Sequence, residues 1–165
     1  MKQAFALLLA IVTCGFNPAF AEESPEEGVP YAFDLQKDAA LAKEKKGVVL
    51  VIFSGAHCSY CETVLNEFLI PMSRNADYQA KLVMRKVEVS STLELKDFHG
   101  GNTPHRSFAG DNGARMVPTV MVFDTDGKLL SKPVVGLGTI DYYGYYLDQA
   151  IDKGLALVRG LPVPN

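Results

Sequence analysis

Cysteine and histidine are scarce in this sequence, with three of each among 165 residues. Two of the cysteines, Cys58 and Cys61, lie close together in the segment CSYC. A zinc site of the common kind needs a second ligand pair at a similar spacing, and the sequence contains none. The lack of a second ligand pair therefore argues against a structural zinc site. The position of the pair between an apolar run and a predicted helix favours a redox-active pair over an isolated structural disulfide.

Clusters of basic residues and long apolar segments are missing as well. The chain has 16 basic and 19 acidic residues, and its formal net charge is −3. Without a basic run, neither nucleic acid nor an anionic membrane surface is indicated as a partner. Beyond residue 21, no apolar stretch approaches the roughly 20 residues that a membrane-spanning helix needs. The length suits one compact domain with short extensions.

The first residues have the three parts of a secretory signal peptide. A basic start is followed by an apolar stretch over residues 4–16 and by a small-x-small pattern that ends at Ala21. This pattern predicts a signal peptide over residues 1–21, and hence an exported, periplasmic protein. Lipid anchoring through Cys14, as in a bacterial lipoprotein, is the alternative, although Thr13 is a poor residue before a lipid-bearing cysteine.

The remaining chain divides into a leader, one domain and a tail. Residues 22–32 are acidic, contain proline and are poor in large apolar side chains, which predicts a flexible leader. The domain is expected over residues 33–159, followed by a flexible tail over residues 160–165. A first helix is predicted from its N-cap candidate Asp34 to a terminating Gly47.

A βαβ unit is predicted in the first half of the domain. The run VVLVIF, residues 48–53, is typical of a strand buried on both faces. A helix over residues 59–69, ended by Pro71, should follow it. The next apolar run, residues 81–89, is predicted to lie parallel to the first strand through a right-handed crossover.

The second half of the domain is predicted to be antiparallel. Residues 90–115 have no clear strand pattern and are expected to form a loop with one short helix from Thr103. Residues 119–135 alternate two apolar segments around Asp-Gly, a strong signal for a hairpin. A final amphipathic helix is expected from about Ile140. The order α, β, α, β, α, β, β, α indicates the α/β class.

Three segments in this order resemble the thioredoxin superfamily: VVLVIFSGAHCSYC, MVPTVMVFDTDGKLL and VVGLGTIDYYGYYLDQAI. The resemblance covers residues 33–153, and the chain is similar to small exported bacterial thioredoxins with a CxYC motif. It implies a thioredoxin-like fold, with a central mixed sheet of about four or five strands flanked by helices. It also implies a thiol–disulfide oxidoreductase that needs no cofactor.

The chemistry of the cysteine pair follows from its position at the start of a helix. Residues at i and i+3 of a helical turn share one face, so Cys58 and Cys61 can cycle between dithiol and disulfide. The helix N-terminus stabilises a thiolate and lowers the pKa of Cys58 below about 8.5. Cys58 is therefore the predicted nucleophile, and Cys61 resolves the mixed disulfide that the attack produces.

The resemblance assigns further site residues. It implies that Pro118 is the cis-proline that faces the cysteine pair, and that the backbone of Val117 pairs with a substrate strand. His57 stands where thioredoxins usually carry tryptophan. We regard His57 as a candidate that tunes the thiolate, together with Ser59 and Tyr60 of the motif.

The sequence leaves open which group takes the proton of the resolving cysteine and whether two histidines bind a metal. Many thioredoxins have a buried aspartate that takes a proton from the resolving cysteine, but this sequence has Ile52 at that place, so another group or water must act.

His99 and His105 could join the cysteines around copper or zinc. Exposed loop histidines are commoner, so we expect no metal site.

The direction of electron flow is predicted from two segments that related exported oxidases and isomerases have and this sequence lacks. The connection between Ser90 and Val117 is too short for the helical insertion of dedicated exported oxidases, and residues 22–33 are too few for the dimerisation domain of isomerases. We therefore expect a monomeric reductase that acts on disulfides of exported proteins and receives electrons from a membrane thiol donor. A dithiol oxidase and a copper- or thiol-handling binding protein are the alternatives.

Overall fold

The computed structural model of the protein describes residues 28–164. The predicted signal peptide and Cys14 lie outside the described residues. The helices are α1 (Leu35–Glu44), α2 (Ser59–Val64), a π-helical turn (Leu65–Leu69), α3 (Ile70–Arg74), α4 (Ala76–Gln79), α5 (His105–Asp111) and α6 (Ile140–Arg159). The strands are β1 (Val48–Ser54), β2 (Leu82–Glu88), β3 (Glu94–Lys96), β4 (Asn102–Pro104), β5 (Thr119–Phe123) and β6 (Val134–Val135).

The central sheet has four strands in the order β2-β1-β5-β6. Strand β1 is parallel to β2, with Ile52 opposite Lys86, and antiparallel to β5, with Ile52 opposite Val120. Strand β6 continues the antiparallel half beside β5. The expected α/β fold with a mixed sheet is confirmed, including the parallel crossover from β1 to β2.

Strand β1 is apolar from Val48 to Phe53 because both faces of the sheet are covered. All seven of its residues are buried. Val48, Leu50 and Ile52 pack in a cluster with side chains of α2, the π-helical turn and α6. The alternate residues pack on the other face with side chains of α1 and α5. Because successive side chains of a strand point to opposite faces, a strand covered on both sides needs apolar residues at every position.

Helix α1 begins as the sequence predicts, but it ends by a different mechanism. The Asp34 side chain accepts a hydrogen bond of 3.0 Å from the Lys37 amide. At the other end, Lys46 adopts the left-handed conformation, with φ of 48°. Gly47 is needed for space instead, since a Cβ atom there would lie 2.3 Å from the carbonyl oxygen of Lys81.

The sequence predicts that the helix from Ser59 ends before Pro71. In the structure, helical elements instead continue past this residue to Arg74. A π-helical turn follows α2, in which the amide of Ile70 bonds to the carbonyl of Leu65. Pro71 then lies in the first turn of α3. Proline is tolerated at this position because first-turn amides have no partner within the helix.

Residues 90–115 contain two short strands that the sequence analysis did not predict. Strands β3 and β4 form an antiparallel pair, with Leu95 opposite Thr103. Each strand has only three residues, too few to show an alternating pattern. Helix α5 accordingly begins at His105, two residues later than predicted.

The first described residues pack against the free edge of β2. The Lys86 amide donates to the carbonyl of Pro30 over 2.7 Å, and the Ala32 amide donates to the carbonyl of Lys86 over 2.9 Å. Ala32 is fully buried. Residues 28–32, which fall within the expected leader, therefore form part of the domain edge.

The last helix, α6, begins at Ile140 as predicted and buries Tyr143, Leu147 and Ile151. It ends at Gly160, which has the left-handed φ of 64° typical of a residue that terminates a helix. Among the helices within residues 28–164, none combines the length and the apolar character that crossing a membrane requires.

Candidate active site

The two cysteines lie where β1 gives way to α2, and they are joined by a disulfide with a Cα–Cα distance of 5.2 Å. Cys58 is the N-cap of α2 and has extended backbone angles, whereas Cys61 lies in the first helical turn. The buried strand and the amphipathic helix together fix this position. The pair therefore lies at a strand-to-helix junction, as the sequence predicts.

The environments of the two sulfur atoms differ. Cys58 is half-buried, while Cys61 has no exposed surface. The Cys61 amide donates a hydrogen bond of 3.1 Å to the Cys58 sulfur. After reduction, this donor and the helix N-terminus would favour a thiolate at Cys58, because a hydrogen bond to the charged form of a group stabilises that form. Accessibility and hydrogen bonding thus both favour Cys58 as the attacking residue.

The other motif residues form the exposed surface around Cys58. His57, Ser59 and Tyr60 are all exposed, and 63% of the Tyr60 surface is accessible. The backbone of His57 is left-handed, with φ of 57°. Within residues 28–164, the His57 ring has no hydrogen bond. The tuning of the thiolate by these three residues therefore stays a prediction.

The loop before β5 approaches the cysteines through Gly55. A Cβ atom at Gly55 would lie 3.2 Å from Cγ2 of Val117 and 3.9 Å from Cβ of Cys58. The Val117–Pro118 peptide bond is cis. The carbonyl of Pro118 accepts a hydrogen bond of 2.7 Å from the amide of Gly136, a residue that the sequence analysis did not single out. Val117 thus lies beside Gly55, the residue that also approaches Cys58, whereas the facing of Pro118 toward the cysteine pair stays a prediction.

The position that holds a buried aspartate in many thioredoxins contains no ionisable group here. Ile52 is fully buried in the apolar cluster under α2. Its neighbour in β2 is Lys86, a residue that the sequence patterns did not single out. Only the strand register reveals this neighbour, since the two residues are far apart in the sequence.

The two remaining histidines differ in their surroundings. His99 is exposed in the loop after β3, but the expectation that His105 is an exposed loop residue is wrong. His105 begins α5 and is fully buried. Its Nδ1 accepts from the Glu88 amide over 3.1 Å, and its Nε2 lies 2.8 Å from the carbonyl oxygen of Ala32. With both nitrogens engaged by main-chain groups, His105 is a structural residue and not a metal ligand.

No metal-binding cluster is apparent among residues 28–164: three or more side chains of histidine, cysteine, aspartate or glutamate do not converge there. The pKa shifts reflect structural contacts. Burial raises the pKa of Asp38, although its ion pair with Arg85 opposes the effect. Burial also raises the pKa of Tyr143 to about 12.

The fold and this pair of cysteines define a class of protein, namely an α/β domain with a thiol–disulfide centre at the start of a helix. The sequence model of the thioredoxin-like domain matches residues 35–151. The chain belongs to this family and, with it, to the thioredoxin superfamily. Membership and the Cys58–Cys61 disulfide support a thiol–disulfide redox function.

Solved thioredoxin structures are similar at low sequence identity. Mitochondrial thioredoxin 3 of Saccharomyces cerevisiae, in its oxidized form, is 15% identical with a TM-score of 0.49, covering 74% of this chain and 92% of that chain. A thioredoxin of Malassezia sympodialis is 22% identical with a TM-score of 0.47, covering 69% of this chain and 83% of that chain. No curated protein sequence matches this chain.

Proposed function

We propose that the protein is an exported thiol–disulfide oxidoreductase that reduces disulfides of other exported proteins. The observation that carries the proposal is the asymmetry of the pair: Cys58 is accessible and accepts a hydrogen bond at its sulfur, whereas Cys61 is buried one turn further along. In this arrangement Cys58 attacks a substrate disulfide, and Cys61 then attacks Cys58 and releases the reduced substrate.

The loop at Val117 supplies the docking element for the substrate. Within the described part of the chain, neither the amide nor the carbonyl of Val117 has a hydrogen-bond partner. Unpaired main-chain groups of this kind can bind an extended peptide by adding a strand. Three exposed apolar side chains belong to the segments around the site, namely Tyr60, Met116 and Val135. We therefore expect substrates that present an extended segment around the disulfide.

The reductase direction is tested by the potential of the pair. Equilibration against glutathione, followed by mass spectrometry of the alkylated protein, measures the fraction of the Cys58–Cys61 disulfide. A potential near about −270 mV agrees with a reductase, whereas one near about −120 mV would make the protein a dithiol oxidase.

A reduction assay separates the redox function from copper or thiol handling. Reduction of insulin disulfides by the chelator-dialysed protein should equal that of the untreated protein, because the electrons reside on sulfur. The Cys58→Ser variant should be inactive under the same conditions. Activity that instead follows the amount of bound copper would contradict the proposal and favour a metal-handling protein.

Export is tested by the mature N-terminus. Removal of residues 1–21 should leave Glu22 as the first residue in the periplasmic fraction, as measured by intact-protein mass spectrometry. A lipid-modified Cys14 would instead mean a membrane-anchored protein. Partner capture from the membrane fraction of the same cells then tests whether a membrane thiol protein reduces the Cys58–Cys61 disulfide.

A further inference from the structure

Cys61 must release a proton before it can resolve a mixed disulfide, because the thiolate is the attacking form of a thiol. The Cys61 side chain is fully buried, and the apolar Ile52 replaces the carboxylate that many superfamily members have beneath it. The site therefore needs another route by which the proton leaves the resolving cysteine.

The strand register puts a cation on the relevant face of the sheet. Lys86 lies opposite Ile52 in the β1–β2 pair. Since side chains alternate along a strand, Lys86 shares its face with Leu82 and Met84, which pack in the cluster under α2. The Lys86 ammonium nitrogen lies 4.1 Å from the centre of the Tyr31 ring. Lys86 is therefore held at the side of β2 that faces α2.

A cleft of about 450 Å³ separates this edge of the sheet from the active-site helix. Glu62 and Asn66 line it from the helix, Lys86 lines it from β2, and Tyr31 lines it from the N-terminal segment. The titratable groups among its lining residues are Glu62, Lys86 and Tyr31. The volume is ample for water, which occupies about 30 Å³ per molecule in the liquid.

We propose that Glu62 accepts the proton of Cys61 through water in this cleft and that Lys86 positions the Glu62 carboxylate. Glu62 directly follows Cys61 in the chain and is exposed, and Leu65, one helical turn after Cys61, also lines the cleft. Because residues at i and i+4 share a helix face, the cleft runs along the face of the helical segment that carries Cys61. Lys86 attracts the carboxylate into the cleft by its opposite charge. This assignment rests on the proposed function, because it concerns the second step of disulfide reduction.

The Cys61 thiol gives its proton to the Glu62 carboxylate, and the resulting thiolate attacks the Cys58 sulfur of the mixed disulfide. The Cys58–Cys61 bond forms, and the bond between Cys58 and the substrate sulfur breaks. The substrate sulfur leaves with the electron pair and takes up a proton from Glu62 or from water. Over both steps the protein dithiol loses two electrons and the substrate disulfide gains them.

The test follows the two steps separately with the aromatic disulfide 5,5′-dithiobis(2-nitrobenzoate). The reduced protein releases one coloured thiolate when Cys58 attacks and a second when Cys61 resolves the mixed disulfide, and stopped-flow absorbance resolves the two phases. The variants are Glu62→Gln, Lys86→Met and Glu62→Asp. Glu67→Gln is the matched control, since Glu67 is an exposed glutamate of the same helical segment that does not line the cleft.

In Glu62→Gln the second phase should slow by at least about tenfold at neutral pH and recover as pH rises, since hydroxide then removes the proton. The first phase should change by less than about twofold. Lys86→Met should also slow the second phase. The second phase of Glu62→Asp should be faster than that of Glu62→Gln and slower than that of the wild type.

Equal second phases in Glu62→Gln and Glu67→Gln at every pH would overturn the assignment, as would a slowing confined to the first phase. Failure of the proposed function looks different: the wild-type protein would then reduce no insulin disulfides, or Cys58→Ser would reduce them as fast as the wild type.

Discussion

The Cys61 amide lies 3.1 Å from the Cys58 sulfur and donates a hydrogen bond to it. Cys61, which we propose as the resolving residue, thus also supplies, through its main chain, a donor to the sulfur that we propose attacks first. Because the donor is a backbone group, it survives replacement of the Cys61 side chain. The two functions of Cys61 can therefore be separated by mutation.

We predict that Cys61→Ser keeps the reactivity of Cys58 and loses resolution. In the reduced wild-type protein, iodoacetamide should label Cys58 before Cys61, because Cys58 is accessible and Cys61 is buried. Cys61→Ser should accumulate mixed disulfides with partner proteins, detected on non-reducing gels, whereas Cys58→Ser should accumulate almost none. Preferential labelling of Cys61 would contradict this order of attack.

A second prediction concerns the close approach at Gly47. A Cβ atom at this position would lie 2.3 Å from the carbonyl oxygen of Lys81, so Gly47→Ala must move the backbone between α1 and β1. We expect the free energy of unfolding to fall by about 2 kcal/mol or more in a denaturant titration.

The matched control is Gly110→Ala. Gly110 lies in α5 with no atom within 4 Å of an added Cβ. Alanine has the higher helix propensity, so this variant should be neutral or more stable by up to about 1 kcal/mol. Equal effects of the two substitutions would mean that the contact with Lys81 does not constrain the connection.

The N-cap of α1 gives a prediction with a pH dependence. The hydrogen bond from the Lys37 amide lowers the pKa of Asp34 from its usual 3.8. A carboxylate whose folded-state pKa is lowered contributes stability above its unfolded pKa, and this contribution is lost as pH falls through the folded-state value. Asp34→Ala should therefore reduce stability by about 1 kcal/mol at neutral pH, and less below pH 3.8.

Asp34→Asn distinguishes the cap from the charge. Asparagine can accept the same hydrogen bond, so most of the stability should remain, with little change between neutral and acidic pH. The ion pairs of Asp34 with Lys37 and Lys96 are exposed and contribute little. Thermal unfolding of the three proteins at both pH values measures the difference. A loss of stability in Asp34→Asn as large as in Asp34→Ala would point to charge rather than capping.

The buried His105 gives a fourth prediction. His105→Leu leaves the Glu88 amide and the Ala32 carbonyl without the hydrogen bonds that the ring provides. We expect a loss of about 3 kcal/mol in the free energy of unfolding, because buried polar groups without partners are costly. His99→Ala should be nearly neutral, since His99 is exposed. Loss of bound copper in either variant, with stability unchanged, would instead indicate a ligand.

Patterns local in the sequence predicted the fold well. The apolar run of β1, the N-cap Asp34 and the CSYC segment each act over a few residues, and the structure contains each where it was expected. Pro71 was misleading because a π-helical turn lets a new helix begin around it. Strands β3 and β4 were missed because segments of three residues have no recognisable period.

Relationships between distant residues could not be predicted in the same way. The neighbour of Ile52 depends on the strand register, which selects Lys86. The burial of His105 depends on the main chain of two segments far from it in sequence. Neither relationship leaves a local pattern, so the sequence alone indicated the reactive sulfur atoms but not the groups that surround them.

The bond between His105 and Ala32 also bears on the order in which the chain folds. The two residues are 73 positions apart, and closing so long a loop costs more entropy than forming the neighbouring helical turns. During synthesis Ala32 emerges well before both of its partners, since its amide bonds to the carbonyl of Lys86 and its carbonyl lies 2.8 Å from Nε2 of His105. The first described residues are therefore expected to be among the last to gain protection from hydrogen exchange during refolding.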